Sequence, residues 1–440
     1  MPNKRDSFCI MPFIHLHNMS NGLLKMCCLV ERPITDDFGK QFFIGNQDIE
    51  EVWNSNFLKT ARKLMIEGEE VPICNHCYNE EDAGGKSLRQ VYNEQYLENN
   101  QAHVEDAKAN NYSLTKFPTF VELRTGSSCN SACRMCNTND SSLVYKETTE
   151  IHNTLKTKFK EFSDSERKNG YDMLGNPEKI IFGNVEGLHL STIKMDLDKH
   201  IDDIIDNIKD INTITLSGGE PFVLEKTIHL LEVIADQNPD LRLNINTNGS
   251  ITSKKMITAL KKLKDVHVCV SMEGIEKVQE YIRYPLKWNK IDKNLNLFKS
   301  IASENLFLSF NVTVQMLNIL NLKELCLFVN RNFPWCSLNL SILKNPIFFN
   351  IVNLPDEVKE VATKSNIETM EILNQSKSQD FHQENNKQKM IASLQTINSV
   401  MKSTTYDETK FQMFKDNVKI YDHYREQNIV DYIPDWAPYL

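Results

Sequence analysis

Eight of the chain's eleven cysteines fall into close or patterned groups. A cysteine thiolate is both a metal ligand and a nucleophile. The tightest group is Cys129-Asn-Ser-Ala-Cys133-Arg-Met-Cys136, a C-x3-C-x2-C spacing just after the apolar, strand-like run Phe120-Val-Glu-Leu-Arg124. Three thiolates so close cannot all pair with one another, but they can converge on one metal centre from a single loop. Protein iron–sulfur clusters are usually held by four thiolates. Three local ones leave one iron of a four-iron cluster open to a small molecule. A structural zinc knuckle is the other reading, although zinc sites more often pair C-x2-C units.

A second group lies near the N-terminus. Cys9 precedes a strand-like segment, Phe13 to His17, and Asn21-Gly22 signals a tight hairpin turn. The return strand Leu23-Leu-Lys-Met-Cys27-Cys28 carries two thiols, and Cys74-Asn-His-Cys77 adds a C-x2-C pair. Neighbouring strand residues face opposite ways, so one of Cys27 and Cys28 serves as a ligand. Such a set holds either an iron–sulfur cluster or a four-cysteine zinc ribbon. His15, His17 and His76 read as ordinary polar residues rather than ligands. Cys269, Cys326 and Cys336 are isolated and read as small, buried and chemically silent.

These groups need a scaffold. Strands are expected at 119–124, 213–216, 241–246, 266–271, 306–315 and 337–343, with helices near 223–236, 253–263, 289–303 and 321–332. Six βα units in alternation imply a parallel sheet with right-handed crossovers. In the fifth strand Phe307, Ser309, Asn311, Thr313 and Gln315 share one largely polar face, and Leu308, Phe310, Val312 and Val314 form the other. Ser337, Asn339 and Ser341 oppose Leu338, Leu340 and Ile342 in the sixth. Two strands with a polar inner face suggest a lumen that binds something rather than a filled core. Upstream, one helix is expected over 49–67, another runs through Tyr96, and 99–111 reads as a linker. A helix is expected over 140–149, and 150–200 as an insertion with one or two helices. Two or three helices follow residue 351, broken near 385–389 and 403–405, and 431–440 reads as a packed tail. The domains are then 1–115, a cysteine-rich α+β module; 116–345, the α/β core; and 346–440, a helical extension.

The 440 residues are 40% hydrophobic and 25% charged, enough for a large core. A net charge of -9 argues against a nucleic-acid surface. No signal-like or membrane-spanning apolar run stands out, so the expectation is a cytoplasmic protein with no membrane partner.

The C-x3-C-x2-C loop resembles the signature of the radical S-adenosylmethionine (radical SAM) enzymes. Ser217-Gly218-Gly219-Glu220-Pro221, at the end of the next expected strand, resembles their GGEP motif. The resemblance covers 119–343 and favours an incomplete (β/α)6 barrel. It implies a [4Fe-4S] cluster on Cys129, Cys133 and Cys136 whose open iron binds SAM. Reductive cleavage of SAM would then give a 5′-deoxyadenosyl radical that abstracts hydrogen from substrate. It implies SAM contacts from Met135, Gly218, Gly219, Glu220, Ser271, Glu273, Arg283 and Asn311. Cys9, Gly22, Cys27, Cys74 and Cys77 resemble the first half of the SPASM auxiliary-cluster motif, shortened to a twitch module. Its G-x4-C spacing favours Cys27 over Cys28. In well-known members that module follows the core, whereas here it precedes it. The family resemblance further implies a second [4Fe-4S] cluster as electron relay. The implied partners are a peptide, protein or small polar substrate and an electron donor such as flavodoxin or ferredoxin. The competing function is a zinc-stabilised, non-catalytic binding protein on an α/β scaffold.

Overall fold

The structure is a computed structural model that describes residues 6–30, 32–157 and 195–440, with side chains 155–157 left aside. The expected insertion at 150–200 lies mostly outside the described residues. The chain forms two compact units. One takes Met1–Ser128, Ile181–Ile245 and Lys254–Val266; the other takes Cys129–Ile180, Asn246–Ser253 and His267–Leu440.

The described strands are β1 (His15–Asn18), β2 (Leu24–Lys25), β3 (Phe120–Arg124), β4 (Thr213–Ser217), β5 (Arg242–Thr247), β6 (Asp265–Ser271), β7 (Leu306–Val314) and β8 (Ser337–Ile342). Their order is β2-β1-β3-β4-β5-β6-β7-β8, an open α/β sheet with β2 and β8 at its edges. β3 to β8 are the six strands of the expected incomplete barrel. The pairs β3–β4, β4–β5 and β7–β8 are parallel. Val121, Leu123, Ile214, Leu216, Leu243 and Ile245 are all buried, as a sheet covered by helices requires.

The N-terminal hairpin is part of this sheet. β1 pairs antiparallel with β2 and parallel with β3, in the register His15↔Phe120 and His17↔Glu122. Gly22 turns the hairpin at φ +83°, a left-handed conformation that glycine adopts without strain. The residues around it build a continuous apolar cluster that includes Ile10, Phe13, Leu24, Trp53, Leu58, Val104 and Phe120.

Three local expectations differ from the structure. The helix expected over 49–67 is two, Ile49–Trp53 and Asn56–Ile66, because the Ser55 side chain accepts from Leu58 N and starts a new helix. The stretch expected as a linker holds the helix Gln101–Ala109, which buries His103, Val104 and Ala107 on one face. Hydrophobic periodicity is hard to see there because one of its buried positions is a histidine. After residue 351 the helices are Asp356–Gln375, Phe381–Ser403 and Glu408–Arg425. The first break falls at 376–380 rather than 385–389, since Asp380 caps the second helix by accepting from Gln383 N. The other helix and strand expectations stand within a few residues, and the helix expected over 140–149 runs Ser142–Thr157.

The C-terminal tail is packed. Trp436 is fully buried, with Phe414 at 5.0 Å and Tyr439 at 6.0 Å between ring centroids. Trp436→Ala should therefore lower stability by about 3–5 kcal/mol in urea unfolding, the usual cost of deleting a buried aromatic ring. A loss below about 1 kcal/mol would mean the tail is not anchored by this ring.

Candidate metal centres and cofactor loops

The loop carrying Cys129, Cys133 and Cys136 has no regular secondary structure of its own. Its backbone is held from elsewhere in the same unit. Ala132 N donates to Tyr284 O at 2.6 Å, and Arg134 N donates to Ile282 O at 2.9 Å. Ser131 Oγ lies 3.2 Å from Cys129 Sγ and 3.5 Å from Cys133 Sγ. Burial, with Cys133 close by, pushes the Cys136 thiol up. A cation or metal would draw such a thiol to the thiolate.

Two buried arginines complete the loop's support, and the sequence reading missed both. The Arg134 guanidinium lies 3.7 Å from the centre of the Tyr281 ring and pairs with Asp422. The Arg425 guanidinium donates to Ala132 O at 2.7 Å and to Glu147 at 2.6 and 2.8 Å. Asp422 and Arg425 both come from the helix Glu408–Arg425, nearly 300 positions downstream in sequence. No local pattern signals such partners.

Arg283 connects the loop to a second group. Its Nη1 lies 3.6 Å from Cys133 Sγ, and its Nη2 donates to Glu273 at 2.6 Å. Glu273 is 1% exposed and also accepts from Thr313 N at 2.8 Å. Glu273 and Arg283, two expected SAM contacts, thus form a buried ion pair beside the Cys133 thiol. Ser271 and Met135 are half-buried, and Asn311 is exposed on β7, where it accepts from Asn339 Nδ2 at 3.0 Å. Asn311, Asn339 and Ser341 are the exposed side of the β7–β8 face, opposite buried Phe310, Val312 and Leu338.

In the other unit, Gly218 and Gly219 follow β4. Gly218 adopts φ +122°, a conformation that disfavours side chains. A Cβ on Gly219 would stand 2.3 Å from Ser128 O, a clash that forces the backbone to move. Gly219 N donates to Gly126 O and Glu220 N to Ser128 O, both at 2.9 Å. Glu220 is fully buried and accepts from Phe222 N at 3.4 Å. The bare α-carbons let this turn pack directly against the backbone of Thr125, Gly126 and Ser128.

Cys9, Cys27, Cys74 and Cys77 line one small cavity of about 30 Å³ in that unit, with Met26, Ile73, Arg89 and Tyr92 among its walls. Cys28 is not on that lining. Burial pushes the Cys9 and Cys74 thiols up to about 12, and it raises Cys77 as well. A hydrogen bond with Cys28, together with burial, raises Cys27. Cys9 and Cys77 are buried and Cys27 and Cys74 half-buried around one space, and thiols that are costly to deprotonate there are a donor set that could hold a metal. Arg89, held by Glu81 at 2.8 and 3.0 Å, adds positive charge beside them. Cys269, Cys326 and Cys336 are buried and stand apart, as expected.

Residues 123–328 match the model described as the Radical SAM superfamily. The chain carries a radical SAM domain over those residues. No curated protein matches it. Among solved structures, it is similar to native anSMEcpe with bound AdoMet and Cp18Cys peptide, at 14% identity and TM-score 0.33. That match covers 58% of this chain and 60% of the other, so it spans about three-fifths of that protein's length. It is also similar to Streptococcus suis SuiB bound to S-adenosylmethionine, at 14% identity and TM-score 0.35, covering 73% of this chain and 62% of that one. SuiB bound to precursor peptide SuiA matches at 13% identity and TM-score 0.33, covering 99% of this chain and 75% of the other.

Two outcomes follow from this geometry. Gly219→Val should weaken SAM binding by about tenfold or more, the equivalent of ~1.4 kcal/mol. Equilibrium dialysis on the cluster-loaded protein measures it, and unchanged affinity would remove this loop from the SAM site. Arg425→Met should cost about 3–5 kcal/mol, because it leaves the Glu147 carboxylate buried and unpaired. Unfolding of the double variant with Glu147→Met should recover most of that loss. If the double variant is no more stable than Arg425→Met, the pair is not the reason.

Proposed function

We propose that this chain is a radical SAM enzyme that abstracts hydrogen from a peptide, a protein or a small polar molecule, with a second [4Fe-4S] cluster on Cys9, Cys27, Cys74 and Cys77 relaying an electron. The gathering of those four thiols on one buried cavity carries the reading. Full ligation by four cysteines leaves no open iron, which suits electron transfer or structural support rather than substrate binding. The chemistry that a SAM-binding [4Fe-4S] cluster supplies is reductive cleavage of SAM to methionine and a 5′-deoxyadenosyl radical.

The chain's own residues bind, orient and shield. Cys129, Cys133 and Cys136 would hold the SAM-binding cluster, and Arg134 and Arg425 fix the loop from which they project. Gly218, Gly219 and Glu220 would receive the methionine end of SAM, while Ser271, Glu273, Arg283, Asn311 and Met135 remain proposed contacts for the rest. Glu273 and Arg283 neutralise each other at 2.6 Å, so each orients the other before any ligand arrives. The exposed amides of Asn311 and Asn339 suit hydrogen bonds to a polar substrate. The division proposed along the chain is an auxiliary module to 115, the radical SAM core from 116 to 345 and a helical extension from 346. A cytoplasmic setting with flavodoxin or ferredoxin as electron donor fits the redox chemistry. Among the described residues no helix is long and apolar enough to cross a membrane.

A zinc-stabilised auxiliary module is the second reading, favoured by the same four thiols. Metal content separates the two. Anaerobic reconstitution should give about eight irons and eight sulfides per chain if there are two clusters. Replacing Cys129, Cys133 and Cys136 together by Ala should leave about half, and a triple variant with full iron content refutes the first cluster's assignment. Replacing Cys74 and Cys77 by Ala should remove the other half. That double variant should still release 5′-deoxyadenosine from SAM but fail to turn over the true substrate. Full turnover without the auxiliary iron would end the relay proposal, whereas zinc in the wild-type module would replace it with a structural role.

A further inference from the structure

β1 and β3 bring three ligand-type side chains together on one face of the sheet. His15 and His17 are two apart on β1 and so point the same way. Glu122 sits directly opposite His17 on β3. One donor atom of each lies within 4.8 Å of the others. Both histidines are 2% exposed. Glu122 Oε2 stands 3.1 Å from His17 Nδ1 and 3.5 Å from His15 Nε2. Both nitrogens thus face the same carboxylate oxygen, a buried arrangement that needs a shared proton or a shared cation between them.

The spacing matches a shared ion. Ligand atoms about 2.1 Å from a tetrahedral metal lie about 3.4 Å from one another. The far side of His15 is also arranged as metal-bound imidazoles are. Its Nδ1 lies 3.4 Å from Met26 O, where an N–H can donate to the carbonyl, leaving Nε2 with its lone pair toward Glu122.

We propose that His15 Nε2, His17 Nδ1 and Glu122 form a mononuclear site for a divalent first-row transition ion, separate from the cysteine ligands. Two imidazoles and one carboxylate are a donor set used by zinc and by non-haem iron. Three protein ligands leave a position open to water or to an oxygen of a bound molecule. The site therefore differs in kind from a fully thiolate-ligated cluster. It also departs from the sequence reading of these histidines as ordinary polar residues. That reading treated each histidine alone; the carboxylate lies more than a hundred residues away and arrives only through the parallel pairing.

The test uses the full chain, reconstituted anaerobically with iron and sulfide and then dialysed against zinc chloride with excess zinc removed. The expected result is one retained zinc per chain in addition to the iron. Its K-edge absorption spectrum should show a nitrogen and oxygen shell with imidazole scattering and no sulfur. His17→Gln and Glu122→Gln should each lower retained zinc at least tenfold while iron content stays at the wild-type level. Sulfur in the zinc shell, no zinc retained by the wild type, or full zinc retention by both variants would overturn the site. Iron that falls in step with zinc in folded variants would overturn it too, because the triad would then be supporting a cluster. If both variants fail to fold, the wild-type zinc stoichiometry and spectrum decide alone.

Discussion

A loop without a hydrogen-bond ladder of its own carries three thiols, and its shape must be imposed by partners. Two backbone bonds, from Ala132 N to Tyr284 O and from Arg134 N to Ile282 O, set its path. Two buried cations then brace it, Arg134 against Asp422 and the Tyr281 ring, Arg425 against Glu147 and the Ala132 carbonyl. A buried charge is tolerated only with a partner, so each arginine couples the loop's position to the helix Glu408–Arg425. That helix looked like an appendage to the core. Its physical role is to hold a cysteine-bearing loop that cannot hold itself.

The same dependence on distant partners recurs in the other unit. The Gly-Gly turn after β4 lies against the backbone of Gly126 and Ser128, so the two loops at the ends of β3 and β4 shape each other. Side chains at Gly218 or Gly219 would separate them. The N-terminal thiols are likewise assembled from three stretches: Cys9 before the hairpin, Cys27 after it, and the Cys74–Cys77 pair beyond two helices. The apolar cluster around Phe13, Trp53 and Val104 is what draws those stretches together. A thiol set of this kind is organised by hydrophobic packing first, and a metal bound there would add to a fold that already has a core.

The hairpin has two sides of consequence. Met26 and Cys27 line the thiol cavity, while the Met26 carbonyl faces His15. Adding β1 to the edge of β3 makes the cysteine-rich segment continuous with the sheet, and it sets His17 opposite Glu122. Parallel pairing of strands about a hundred residues apart creates neighbours that no spacing rule predicts.

The sequence alone determined the chemistry-bearing motifs and the alternation of strands and helices. C-x3-C-x2-C, Gly218-Gly219 and the C-x2-C pair are local, and local spacing survives folding. Strand and helix positions were legible because buried faces in the core repeat with period two or near 3.6. Helix breaks at Ser55 and Asp380 were not, since a capping side chain interrupts a helix without interrupting the apolar pattern. Tertiary structure decided what long-range pairing and burial control. It put Cys27 rather than Cys28 on the cavity, joined Glu273 to Arg283, and sent Arg134 and Arg425 to carboxylates far away in sequence. It also joined His15 and His17 to Glu122. Charges and ligands of this sort choose partners in space, because desolvation leaves them no alternative, and sequence distance does not enter that energy.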